Sequence, residues 1–238
     1  MKELKDYLIK LNCINTDEIE EYIPILEKYM ENILKNNEKI NVTSIKEKTP
    51  FIRKHYIDSI TIIDKEEFKK AKTIIDIGTG GGFPGVPLAI LFPDKKFTLV
   101  DSVGKKINVI KDSIKDLNLK NIELVNGRAE IIGRMSQHRE MYDLCVSRAV
   151  APLLYLLEFA LPLVKPGGCF IAYKGPDGIK EIERANNILQ KIGGSFNRIE
   201  AISPFEGAED HILVIFNKDT KTSEDYPRRM DQIKRSGK

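Results

Sequence analysis

Two aspartates bracket a glycine-dense turn in this chain. Asp76 stands inside the apolar run Thr73-Ile74-Ile75-Asp76-Ile77, glycines follow at 78, 80, 81, 82 and 85, and Asp101 closes a second apolar run, Phe97-Thr98-Leu99-Val100. A strand that delivers an acid into a loop nearly free of side chains, with an amphipathic segment from Pro84 behind it, lets backbone approach a nucleoside closely. A carboxylate such as that of Asp101 has two oxygens to accept from both hydroxyls of a ribose. Further along, Arg148 and Lys174 end two more apolar runs, the edge at which open α/β sheets build their sites. His55 and Asp58 lie at i and i+3, one helix face, as a hydrogen-bonded pair suited to positioning or to a purely structural role.

The glycine spacing admits two cofactors. Gly80-x-Gly82-x-x-Gly85, with Asp101 about 20 residues on, fits the dinucleotide fingerprint of a nicotinamide dehydrogenase. Asp76-x-Gly78-x-Gly80-x-Gly82 resembles motif I of the Rossmann-like S-adenosylmethionine-dependent methyltransferases, where no pyrophosphate has to be cradled. In that second reading Asp76, Gly78, Gly80 and Gly82 shape the methionine and ribose side of the site, and Asp101 takes the ribose. Phe83 either lines the pocket or packs the helix against the core, and Ala129 and Glu130, after the third strand, reach the adenine.

The elements that must carry these residues follow from hydrophobic period. Leu4, Tyr7, Leu8 and Leu11 mark a helix, and Ile19, Tyr22, Ile23, Leu26, Tyr29, Met30 and Ile33 a second, opened by an Asn15-Thr16 cap and kinked or restarted at Pro24. Thr49-Pro50 predicts the N-cap and first residue of a third, through Ile52, Tyr56, Ile60 and Ile63. Residues 1–70 are thus expected as an N-terminal helical cap. Strands at 73–77, 97–101, 122–125, 142–147 and 168–173 then alternate with helices near 84–91, 104–117, 152–164 and 177–192, which predicts an α/β, mostly parallel sheet. Runs at 195–202 and 210–216 have no helix between them, so the last strand is antiparallel. That hairpin, with the turn Lys165-Pro166-Gly167-Gly168 before the fifth strand, resembles the seven-stranded sheet of class I methyltransferases and departs from six parallel dehydrogenase strands. The core is expected over 71–217 and a tail over 218–238.

Composition bounds the rest. At 238 residues, 42% hydrophobic and 31% charged, the chain suits one ordinary soluble core with a small appendage. It has no apolar run long enough for a bilayer and no signal-peptide pattern at Met1-Lys2-Glu3-Leu4, so a cytoplasmic protein is expected, with no membrane partner. Cys13, Cys145 and Cys169 are odd in number and far apart, with the spacing of neither a disulfide framework nor a metal site; no metal is expected. Residues 217–238 hold seven Lys or Arg against four Asp or Glu, an excess equal to the whole chain's net charge of +3. Without apolar period, the tail is expected as a flexible basic arm suited to RNA, or as a solubilising one.

The segment after the fourth strand, Val146-Ser147-Arg148-Ala149-Val150, offers neither an Asp/Asn-Pro-Pro-aromatic motif for adenine amines nor a cysteine for pyrimidine C5. A target that is already a nucleophile, such as guanine N7, needs neither; orientation and electrostatics suffice. Arg148 is then placed to hold the guanine O6, a phosphate or the methionine carboxylate, and Lys174 an RNA phosphate.

Taken together, Asn41-Val42-Thr43-Ser44-Ile45, Arg53-Lys54-His55-Tyr56-Ile57-Asp58-Ser59, residues 76–87, Leu99-Val100-Asp101-Ser102 with Lys105-Lys106, Arg128-Ala129-Glu130, Ser147-Arg148-Ala149 and Tyr173-Lys174-Gly175 resemble, in order and over roughly residues 10–230, the bacterial small-subunit rRNA guanine-N7 methyltransferases, the glucose-inhibited-division protein B family. The resemblance implies methyl transfer from S-adenosylmethionine to N7 of one guanine in the decoding-region loop of 16S rRNA, on the RNA or a 30S precursor. Carried over by position, it implies cofactor contacts at Gly78, Phe83, Ala129, Glu130 and Arg148. The tail Pro227-Arg228-Arg229-Met230-Asp231-Gln232 departs from the family's Pro-Arg-Lys and Gly-x-Pro-x-Lys pattern. Two alternatives stay open at this stage: a class I enzyme acting on another RNA or a small molecule, and an RNA-binding protein with a vestigial pocket.

Overall fold

The computed structural model describes residues 1–205 and 211–236. Asp210, expected to open the last strand, and Gly237 and Lys238 of the tail lie outside the described residues. The chain begins with α1 (Lys2–Leu11), whose Leu4 and Leu8 are buried one turn apart, and α2 (Thr16–Asn37), opened by an Asn15–Glu18 capping box. Pro24 does not break α2. It sits on the exposed face, where water can satisfy the carbonyl that loses its partner.

The helix expected from Thr49 starts earlier and is not one α-helix. α3 (Lys48–Phe51) has Glu47 as its N-cap, placing Pro50 within the first turn, where an N–H has no intrahelical partner to lose. It widens into a π-helix over Ile52–Ile57 and ends in a 3₁₀ turn at Ile60–Ile62; α4 (Glu66–Lys70) follows.

Seven strands form one sheet in the order β3-β2-β1-β4-β5-β7-β6. In chain order they are β1 (Thr73–Ile77), β2 (Lys96–Asp101), β3 (Ile122–Asn126), β4 (Tyr142–Arg148), β5 (Val164–Lys174), β6 (Gly194–Ile202) and β7 (His211–Lys218). The first five pair in parallel and β7 runs antiparallel between β5 and β6. Lys165-Pro166-Gly167-Gly168, expected as a turn before β5, lies inside that strand, with Gly167 at φ +88°. The crossovers carry α5 (Gly85–Leu91), α6 (Gly104–Asp116), α7 (Ala129–Ile132), α8 (Leu153–Ala160) with a 3₁₀ turn through Pro162, and α9 (Gly178–Leu189).

Strand alternation sorts the core. Ile74, Leu99, Val146 and Ile171 face the N-terminal helices in one apolar cluster, while Ile75, Ile77, Val100 and Phe170 face α8 and α9 in the other. No helix of the described residues is long and apolar enough to cross a membrane.

Residues 218–236 depart from the flexible tail expected of them. Lys218 at the end of β7 is fully buried, its ammonium held by Leu161 O, Ile192 O and Thr222. The chain then runs past the end of α7 and along α8, and closes with α10 (Met230–Ser236), whose Ile233 is buried against the α8–α9 cluster. The charge count hid this because the apolar anchors are few and widely spaced.

Candidate active site

The loop between β1 and α5 is wired to the strands beneath it. Gly78 and Thr79 donate to Val100 O, Gly82 and Phe83 to Thr79 O, and Gly80 to Asp101 Oδ2 at 2.9 Å. Amides engaged inside the protein in this way are not offered to a pyrophosphate. Together with the β7–β6 hairpin, that removes the dehydrogenase reading.

Asp76 and Gly82, expected among the cofactor-binding residues, shape the loop from below and do not line the cavity. Asp76 is fully buried; its Oδ2 accepts from Thr79 Oγ1 at 2.6 Å and from Gly85 N at 3.0 Å. Burial pushes its carboxyl up to about 6, against the pull of those two bonds. Gly82 has φ +86°, and a Cβ there would sit 2.3 Å from the Tyr29 hydroxyl, which itself donates to Gly81 O. The neighbouring Gly80 is different: a Cβ would meet nothing nearer than 4.0 Å, because its open side is the cavity.

That cavity, about 490 Å³, is lined by Gly78, Gly80, Phe83, Asp101, Ala129 and Glu130, with Arg148 at one end. Seven of the nine residues expected to contact the cofactor are thus brought together. Asp101 spends one lone pair of each oxygen on the protein, accepting from Gly80 N and Val103 N, and keeps the others for a diol. Glu130 is buried at the start of α7 with Arg128 3.7 Å from its carboxylate. The donor set, the glycine cradle and the volume fit S-adenosylmethionine.

Arg148 separates this cavity from a second one of about 450 Å³, lined by Asp58, Tyr173, Lys174 and His211 among others; His55, Arg148 and Ala149 belong to both. The guanidinium donates to Lys54 O at 2.7 Å and to His55 Nδ1 at 3.1 Å, and lies 3.9 Å from Asp58 Oδ2. Because Arg148 can only donate, His55 carries its proton on Nε2 and donates to Thr43 Oγ1 at 2.7 Å. The imidazole stacks on Phe83 with ring centroids 4.3 Å apart. Burial, then the adjacent guanidinium, push its pKa down to about 3. His55 and Asp58 were expected to pair along an α-helix face; on the π-helix they converge on Arg148, and Asp58 Oδ1 lies 3.5 Å from His211. Lys174 is tied back, donating to Ala151 O at 3.0 Å and pairing with Glu181 at 2.9 Å.

Sequence reasoning missed three contributors. Val42 and Thr43 line the first cavity from a loop that Asn37 Oδ1 holds by both backbone amides. Val150 stands where a Cβ on Gly78 would fall, at 2.3 Å. Met230, from α10, lines the cavity too. The Asn-Val-Thr-Ser run pointed to the first of these; nothing local pointed to the others.

Comparison with known proteins agrees. The family model described as GidB, rRNA small subunit methyltransferase G, matches residues 22–206. Among curated proteins, "Ribosomal RNA small subunit methyltransferase G" of Thermoanaerobacter sp. (strain X514) is 41% identical over 216 residues, 90% of each chain. The protein of that name from Clostridium botulinum (strain ATCC 19397 / Type A) is 43% identical over 225 residues, 94% of each. Two solved structures share the fold. An O-methyltransferase from Bacillus cereus in complex with SAH has a TM-score of 0.55 at 18% identity, covering 79% of this chain and 90% of that one. M. jannaschii TYW2 in complex with AdoMet has a TM-score of 0.54 at 16% identity, covering 74% and 79%. The sheet is therefore that of the Rossmann-like class I methyltransferases, and the chain belongs to the rRNA small subunit methyltransferase G family.

Proposed function

We propose that this chain transfers a methyl group from S-adenosylmethionine to N7 of a guanine in the decoding-region loop of 16S rRNA, in the cytoplasm, on the RNA or a 30S precursor. The observation that carries the reading is the pair of adjoining cavities, one fitted to the cofactor and one open to an acceptor, with His55 and Arg148 between them. When bound, S-adenosylmethionine supplies a methyl group on a positively charged sulfur. Asp101, the Gly78–Gly80 backbone and the Ala129–Glu130 turn would hold the cofactor by its ribose, methionine and adenine parts. Arg148, fixed by Lys54 O and His55 Nδ1, presents its guanidinium at the border of the two cavities, where it orients an acceptor oxygen or a carboxylate.

His55 does not serve as a base, since both ring nitrogens are engaged and its proton affinity is low. An acceptor with its own exposed lone pair suits such a site, and guanine N7 is one. The test is to incubate the protein with methyl-labelled S-adenosylmethionine and 30S subunits or their RNA, then identify the labelled nucleoside by mass spectrometry. 7-Methylguanosine is expected. Absence of label, or label on another atom, overturns the acceptor assignment.

A further inference from the structure

The first six residues of the C-terminal segment are fastened largely by their backbone carbonyls. Arg139 donates to Thr222 O, Ser223 O and Tyr226 O, and Arg134 to Glu224 O, Asp225 O and Pro227 O. Two arginines just beyond α7 thus hold six successive residues by backbone carbonyls, a contact indifferent to what those residues are. The next residue, Arg228, inserts its guanidinium against Glu158, which is fully buried on α8. Glu158 fixes the strap's register at Arg228, because a carboxylate buried at that depth must be paired. Pro227 abuts Gly133 at the end of α7, the helix whose first residues Ala129 and Glu130 line the cofactor cavity. Two residues after Arg228, Met230 reaches the same cavity, half-buried beside the apolar cluster that holds Phe159, while Ile233 anchors α10 below.

We infer that the strap over residues 222–236 is a wall of the cofactor site, with Met230 a contact for S-adenosylmethionine, so that cofactor binding and strap docking are linked. This rests on the reading of the first cavity given above. Linkage is reciprocal: a ligand that touches the docked strap holds it down, and loosening the strap weakens the ligand by the same factor. Methionine suits such a wall because its unbranched thioether adapts to the ligand face it covers. The strap's positive charge then has a second consequence. Arg229 and Lys234 are exposed on the segment that cofactor occupancy steadies, so the loaded protein presents its basic residues in a fixed place.

The experiment needs no RNA and no turnover. S-adenosylhomocysteine is titrated calorimetrically into wild type, Met230→Ala, Arg134→Ala and, as a control away from both cavities and the strap, Lys120→Ala, and amide hydrogen exchange over residues 222–236 is followed with and without it. Met230→Ala is expected to bind about five- to tenfold more weakly, the loss of a partly covered thioether side chain. Arg134→Ala, whose side chain is exposed and whose loss spares the core, is expected to bind at least about threefold more weakly and to exchange faster over 222–227. Lys120→Ala, exposed and remote from the strap, binds as wild type does. In wild type, the ligand slows exchange across the strap. Wild-type affinity in Met230→Ala, or strap exchange unmoved by the ligand, would overturn the inference while leaving the cofactor reading intact. A wild type that does not bind S-adenosylhomocysteine at all would remove the cofactor reading, and the inference with it.

Discussion

Two ionisable groups of the site, His55 half-buried and Asp76 fully buried, respond to acid with opposite signs, and separating them tests the site's electrostatics directly. His55 titrates near 6.5 when unfolded and is pushed down to about 3 in the folded protein, so it contributes stability above pH 6.5 that is lost as pH falls. Asp76 titrates near 3.8 when unfolded and is pushed up to about 6, so its contribution is fully present below pH 3.8 and is lost as pH rises through 6. Between pH 7 and pH 5 the linkage relation gives a loss of about 2 kcal/mol from His55 and a gain of about 1 kcal/mol from Asp76. The wild type therefore hides most of the effect.

Variants uncover it. Asp76→Asn keeps an acceptor for Thr79 and Gly85 but cannot titrate, and it should lose about 2 kcal/mol from pH 7 to pH 5 relative to its own value at pH 7. His55→Gln keeps an acceptor for Arg148 and a donor for Thr43, and should gain about 1 kcal/mol over the same interval. Any pH-independent cost of the new amide cancels in the slope. Urea unfolding at pH 5, 6 and 7, without cofactor, reads each slope, and contributions from other groups are common to all three proteins. Equal slopes for the two variants would refute both burial assignments together; a normal slope in one alone would refute that one.

Three further outcomes follow from the same geometry. Asp101→Ala leaves the Gly80 and Val103 amides without their acceptor and a ribose without its carboxylate, and should weaken S-adenosylhomocysteine binding about 10- to 100-fold by calorimetry; unchanged affinity would remove Asp101 from the site. Gly82→Ala combines φ +86° with a Cβ 2.3 Å from a fully buried tyrosine hydroxyl, and should cost about 2–5 kcal/mol in urea unfolding; a cost below about 1 kcal/mol would mean that the loop relaxes. Arg148→Lys keeps the charge but loses the fork that grips Lys54 O and His55 Nδ1, and methyl transfer should fall about a hundredfold. Wild-type turnover in that variant would place the decisive group elsewhere.

The parts of this site that were legible in the sequence are those whose geometry is local. Asp76, the glycines and Asp101 belong to one strand-loop-helix-strand unit, so their spacing alone sets what they can approach. The antiparallel β7 was legible because two strand-like runs with no helix between them can only fold back as a hairpin. Arg148 was placed at the right edge, but its partners lie more than 90 positions earlier, on a π-helix whose wider turn no α-period anticipates. The strap was illegible for a stronger reason: residues 222–227 dock by their backbone carbonyls, which every residue carries, and the arginines that hold them look like ordinary surface charge.

A chain of contacts runs from the glycine loop to the acceptor side and explains why the loop's shape matters beyond the cofactor. Asp76 fixes the loop through Thr79 and Gly85, and the turn it sets puts Phe83 beneath the cavity. Phe83 offers one face to His55, and the stack leaves the imidazole one orientation, with Nδ1 toward Arg148 and Nε2 toward Thr43. Thr43 is itself held by Asn37 at the end of α2. Arg148 therefore takes its position from two directions, the sheet edge that carries it and the helical layer that stacks against Phe83. Buried residues in contact have few alternative packings, so the group on the border of the two cavities is set before any ligand arrives. Such preorganisation is what a transfer without a base or covalent step requires of its protein, because alignment and a fixed field are all that remain for the protein to supply.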